Sequence, residues 1–149
     1  MNIAYFLIPK SSVAYLYDDF TFRQGLEKMR HHGYTAIPVI TRDGQYIGTV
    51  SEGDFLWRLL SDEATLQHPC SMRAMEQLHV SDILREHSYP PVRITVSMDE
   101  LLHNAMNQNF IPVVDDFDCF IGIITRKDII GYFAGSDKKE SPVPARKIV

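Results

Sequence analysis

The chain has 149 residues, 45% hydrophobic and 23% charged, which suits one domain or two intimate half-domains with a real core. A net charge of −4 argues against a nucleic-acid binder that works by bulk attraction to phosphates. Cys70 and Cys119 stand far apart with no CxxC pair, which argues against a disulfide framework and points to a reducing, cytoplasmic setting.

In chain order, residues 3–8 are apolar but stop at Pro9-Lys10. They are too short to cross a bilayer, and no basic segment precedes them, so no membrane partner is expected. Residues 13–16 predict a short strand. Asp18, Asp19 and Thr21 offer N-cap chemistry to a helix carrying Phe22, Leu26 and Met29 at helical spacing, and Gly33 closes it. Residues 37–41 and 46–50 predict two strands joined by Arg42-Asp43-Gly44-Gln45, which contains the Asp-Gly hairpin signal. Ser51 caps a helix with Phe55, Leu56, Leu59 and Leu60 on its apolar side. Residues 62–79 are polar and interrupted by Pro69, a connector with some helix. Residues 80–84 predict a short lead-in helix.

The same order then returns: a strand at 93–96, a helix capped by Ser97, strands at 111–114 and 119–124, and a helix capped by Thr125. Residues 135–149 lack apolar periodicity and predict a flexible tail. Ile37-Pro38-Val39, Gly48, Ser51 and Asp54 recur as Ile111-Pro112-Val113, Gly122, Thr125 and Asp128, each 74 positions on without a gap. The fold class is therefore α+β, two β-α-β-β-α units (residues 1–61 with the N-terminal segment, and 80–134) packed sheet to sheet with pseudo-twofold symmetry. The clefts between the units are the candidate ligand sites.

Ile-Pro-Val followed by Gly-h-h-[Ser/Thr]-x-x-Asp, twice in register, resembles the tandem cystathionine-β-synthase (CBS) domain, or Bateman module. The resemblance covers residues 5–134. Gly33–Val39 also resembles small bacterial stand-alone members, some of which bind cyclic di-AMP. It implies regulatory binding of an adenine nucleotide, with base-facing groups from one repeat and ribose-phosphate groups from the other. A hydroxyl at a helix start lies beside free N–H groups that favour phosphate, and an Asp one turn on can accept from ribose hydroxyls.

The first cleft would combine Ser12, Val13, Ala14, Tyr34, Thr35, Ala36 and Pro38 with Thr125, Arg126, Lys127 and Asp128. Arg126 and Lys127 put two cations where phosphates should lie. A weaker second site would combine Arg93, Ile94, Thr95, Asn109 and Phe110 with Ser51, Glu52, Gly53 and Asp54. There the helix start is three formal charges less positive, and Met106 to Pro112 is shorter than Met29 to Pro38, six positions against nine. His31-His32 is an exposed helical pair rather than a metal site, because adjacent helical residues point about 100° apart.

No nucleophile elbow, Walker loop, metal-spaced Cys/His set or paired-carboxylate motif is present, so catalysis is not expected and no cofactor is required. The expectation is a sensor of AMP, ADP or ATP, with cyclic di-AMP as the alternative ligand, that signals to a downstream protein as a homodimer. Two other classes compete. One is a small metal-dependent enzyme using Asp54 and Asp128; the other is a structural dimerisation module with degenerate pockets.

Overall fold

The structure is a computed structural model that describes residues 2–61, 76–85 and 88–135. Most of the expected connector, the tail beyond Gly135 and Cys70 lie outside the described residues. The first unit contains β2 (Leu16–Tyr17), α1 (Phe22–His32), β3 (Ala36–Ile40), β4 (Tyr46–Ser51) and α2 (Glu52–Ser61). The second contains β5 (Val92–Arg93), α4 (Met98–Ala105), β6 (Phe110–Val114), β7 (Phe120–Thr125) and α5 (Arg126–Phe133). Two lead-in segments complete the set: β1 (Ile8–Pro9), preceded by a 3₁₀ turn at Ile3–Phe6, and the short helix α3 (Val80–Ile83).

Local chemistry sets the element ends. Thr21, rather than Asp18 or Asp19, caps α1: its hydroxyl accepts from Gln24 N–H while the Gln24 side chain accepts from Thr21 N–H. Gly33 ends the helix at φ +68, where a side chain would be strained. Ser97 and Thr125 cap α4 and α5 in the same way. The prolines of β3 and β6 precede the residues that pair with the short parallel strands, so their missing N–H groups leave no gap in those ladders. Both short strands end up shifted from their expected positions. Pairing begins at Leu16 and at Val92, while Ile94 and Val96 pack on the second core from a turn closed by Val96 N–H on Arg93 O.

The strands form two sheets, ordered β1-β7-β6-β5 and β2-β3-β4. Their hairpin turns meet reciprocally: Tyr46 N–H donates to Asp118 O, and Phe120 N–H donates to Gly44 O. Each pair maps onto the other by the 74-residue repeat, so a pseudo-twofold axis passes between the turns. Tyr46 and Phe120 stack there at 6.2 Å. Burial pushes the Tyr46 phenol pKa far above its ordinary value, and its hydroxyl donates to Tyr89 O at 2.7 Å. Phe110, Phe120 and Ile123 join Leu16, Val39, Val50 and Phe55 in one core, so the two sheets share an apolar layer.

The lead-ins are exchanged. β1 adds to β7 of the second unit, and Ile3 and Phe6 are buried with Leu101, Ile111, Ile124 and Ile129. In return α3 serves the first unit: Val80 and Ile83 enter its core, and Val80 N–H donates to Phe20 O. The two motif glycines make room for this. A Cβ on Gly48 would meet the Leu84 side chain, and one on Gly122 would meet the Ile8 carbonyl.

Candidate functional site

The two final helices start alike. Glu52 N–H donates to Thr35 O and Arg126 N–H donates to Asn109 O, both at 2.9 Å, so each helix is anchored to the loop before its unit's middle strand. Beyond that the two starts diverge. Asp54 is buried, and both its oxygens are engaged: Oδ2 accepts from Ser51 N–H at 2.8 Å and Oδ1 pairs with Arg85 Nε at 2.8 Å. Asp128 is half-buried, and its N–H donates to Thr125 Oγ1. Arg126 sends its Nε to Ala105 O at 2.7 Å, a cation at the C-terminal end of α4. Lys127 is exposed. Of the two cations expected to face phosphate, the structure thus ties Arg126 to the scaffold and leaves Lys127 in solvent.

In the first unit, Ser12 is exposed, Val13 is buried and Ala14 is half-buried. Tyr34 is buried against them. Its phenol oxygen accepts from Ala14 N–H, burial raises its pKa, and its ring stacks on His32 at 5.4 Å. Ala36 and Pro38 lie inside β3 with buried side chains, so only their backbone and shape are on offer. Lys10 and Lys28 approach the Tyr15 ring at 5.2 and 5.3 Å, and burial lowers the Lys28 pKa.

The second unit has its own register. Leu16 pairs with Val39 and Val92 with Val113, so the strands repeat at 74 but the segment before them repeats at 76. The caps Thr21 and Ser97 share the 76 offset. Ser88, Tyr89 and Pro90 therefore stand where Ser12, Val13 and Ala14 stand, and not Arg93 and Thr95. Arg93 instead pairs with Asp116 and Asp118 at the hairpin turn, and Thr95 is exposed in the turn after β5. Phe110 is fully buried, and Tyr89 stacks on it at 4.9 Å, so Tyr89 presents the surface that Phe110 was expected to present. The two-residue shortening between α4 and β6 hid this register. The shared serine at 12 and 88 was the sequence signal that could have revealed it.

Gln108, the repeat counterpart of Tyr34, is buried and donates from Nε2 to Pro90 O and Phe110 O. Both units thus tie the loop before the middle strand to the segment at 12–14 or 88–90 through one side chain. Beside Gln108 opens a cavity of about 560 Å³, walled by Arg85, Ser88, Tyr89 and Pro90 on one side and by His103, Asn104 and Asn107 on the other. Hydroxyl, amide and carbonyl groups around an aromatic ring suit a flat polar heterocycle, and Arg85 suits an anion attached to it.

Away from the clefts, Leu56, Trp57 and Leu60 of α2 and Ile130 and Phe133 of α5 are exposed, Trp57 at 70%. Leu56 and Ile130 are 74 positions apart, so the repeat symmetry carries the apolar face onto both helices. Among the described residues, no group of three or more His, Cys, Asp or Glu side chains could hold a metal, and no helix is long and apolar enough to cross a membrane.

A family model described as CBS domain matches residues 7–61 and again residues 79–135. The solved structure of CbpB in complex with c-di-AMP is 24% identical, covers 90% of this chain and 85% of that one, and superposes with a TM-score of 0.76. A CBS domain protein from Streptococcus pneumoniae TIGR4 is 26% identical, with 89% and 86% covered and a TM-score of 0.74. CBSX2 in complex with AMP is 22% identical, with 92% and 98% covered and a TM-score of 0.70. A curated relative, the L-aspartate semialdehyde sulfurtransferase of Methanocaldococcus jannaschii, is 24% identical over 105 residues. That match spans 70% of this chain but only 18% of the relative's length.

Proposed function

We propose that this chain, which belongs to the CBS domain family, is a regulatory module that binds an adenine nucleotide between its repeats and catalyses nothing. The observation that carries this reading is the open cavity of about 560 Å³ in the second unit beside Ser88–Pro90, large enough for a mononucleotide and joined to the first unit by the ion pair of Arg85 with Asp54. The solved neighbours that hold c-di-AMP and AMP support the ligand class. The sulfurtransferase name belongs to a protein more than five times longer than the matched part, and it is not carried over.

Both clefts are assigned. The first uses Ser12, Val13, Ala14, Tyr34, Thr35, Ala36 and Pro38 with Thr125, Arg126, Lys127 and Asp128. The second uses Ser51 and Asp54 with the cavity beside Ser88–Pro90. AMP, ADP or ATP is the preferred ligand, because a linear nucleotide offers a carboxylate both the 2′- and 3′-hydroxyls. Cyclic di-AMP is the second reading, favoured by the neighbour that holds it.

The test is calorimetry against AMP, ADP, ATP and cyclic di-AMP, repeated on Asp128→Asn. The substitution weakens a charged acceptor, so AMP affinity should fall about fivefold or more, roughly 1 kcal/mol. Absence of binding by all four ligands overturns the nucleotide reading. Unchanged AMP affinity in the variant, with tighter cyclic di-AMP in the parent, reverses the ligand preference.

The exposed apolar face on α2 and α5 is assigned to a second copy of the chain. Each of two helices related by the internal symmetry carries exposed apolar side chains, and burying them against a second copy removes them from water.

A further inference from the structure

The carboxylate of Asp54 is 5% exposed, whereas the Arg85 side chain that pairs with it is 72% exposed and also forms a wall of the cavity. One guanidinium therefore reaches from a buried carboxylate to an open ligand-sized space. The pseudo-equivalent first cleft is built the other way round. Its helix start carries Arg126 and Lys127, and the position matching Arg85 at the 76 offset is Pro9. The second cleft has Glu52 and Gly53 on its helix and carries its cation on the lead-in.

We propose that Arg85 determines the specificity of the second cleft for phosphorylated over unphosphorylated nucleosides, by exchanging its partner from Asp54 to the ligand phosphate. The proposal rests on the nucleotide reading. In the free protein the Asp54 carboxylate is 5% exposed and covered by Arg85, so a ribose hydroxyl has no open approach to it. A phosphate at the cavity draws the guanidinium toward itself, and Oδ1 is released to the ribose. The carboxylate exchanges one donor for another and is never left bare. A nucleoside without phosphate offers Arg85 nothing, so it must displace the guanidinium from a buried carboxylate with no new partner for the cation. The cleft thus reads phosphate and hydroxyl together.

The experiment compares AMP with adenosine on the full chain and on Arg85→Ala. It uses calorimetry and the side-chain amide NMR signals of Asn104 and Asn107, which lie on this cavity. Arg85→Ala should weaken AMP about tenfold or more and tighten adenosine, because one loses a charged donor and the other gains a free acceptor. Equal weakening of both ligands, or no change in either, overturns the proposal. So does AMP binding to the parent chain without shifting the Asn104 and Asn107 signals; the nucleotide reading then stands and the ligand sits elsewhere. No heat with either ligand overturns both. Should Arg85→Ala fail to fold, Arg85→Met with Asp54→Asn removes both charges, and it must still lose the preference for AMP over adenosine.

Discussion

Gly122→Ala is expected to cost about 3–5 kcal/mol and to lower the melting temperature by roughly 10 °C or more. Gly122 lies opposite Pro9 in the pairing of β1 with β7, at φ +157. An added Cβ would stand against the Ile8 carbonyl oxygen inside any tolerable contact distance, and 2.9 Å from Leu7 Cδ1. The oxygen is backbone, held in a strand pair, and it cannot rotate away. Relief requires β1 to leave β7, which withdraws support from Ile3 and Phe6 in the second core. Gly48→Ala is the internal control. It shares the positive φ, at +158, so the backbone strain of the substitution is common to both; beyond that its Cβ would meet the Leu84 side chain at 2.8 Å, and a leucine can change rotamer at a further cost of about 1–2 kcal/mol. Thermal melts of the two variants decide the matter. A Gly122→Ala protein melting within about 2 °C of the parent, or a Gly48→Ala protein melting lower, would show that the exchanged lead-in is not what the glycine accommodates.

Trp57→Glu combined with Ile130→Glu is expected to raise the dimer dissociation constant at least a hundredfold, about 2.7 kcal/mol. Both side chains are exposed in the single chain, so the change should leave the fold intact. In a twofold dimer each substitution enters the interface twice, and each glutamate would be desolvated or would repel its symmetry mate. Sedimentation equilibrium of the parent and the variant, with melting temperatures as the folding check, reads the effect. A parent that is monomeric at about 50 μM, or a variant that associates as tightly as the parent, defeats the assignment of this face to a second copy.

These two expectations draw on different layers of information. Caps, turns and the repeat were legible in the sequence because they depend on neighbours a few residues away. Thr21 with Gln24, Gly33 at the helix end, the Asp-Gly turn and the hydroxyls of Ser51, Ser97 and Thr125 all do locally what their residue types favour. The 74-residue register from Ile37 onward was readable for the same reason: it is a comparison of the chain with itself.

The second cleft depended on relations the sequence does not order. Two residues missing between α4 and β6 change the repeat offset from 74 to 76 ahead of that point, so Ser88–Pro90 is the counterpart of Ser12–Ala14, and the pairing of Val92 with Val113 shows it. The motif shows Arg126 only as a cation at a helix start; that it also binds the carbonyl end of a helix 21 residues earlier is a tertiary contact. Arg85 carried no motif and was overlooked, although it lies 2.8 Å from Asp54.

Sequence alone thus determined the two units, their caps and their chemistry, since backbone propensity and side-chain hydrogen bonding act over one or two turns. Tertiary structure alone decided which unit each lead-in serves, which carboxylate is already neutralised and where the open cavity lies. Those outcomes follow from complementary apolar burial and from buried charges seeking partners across the fold, and neither force respects distance along the chain.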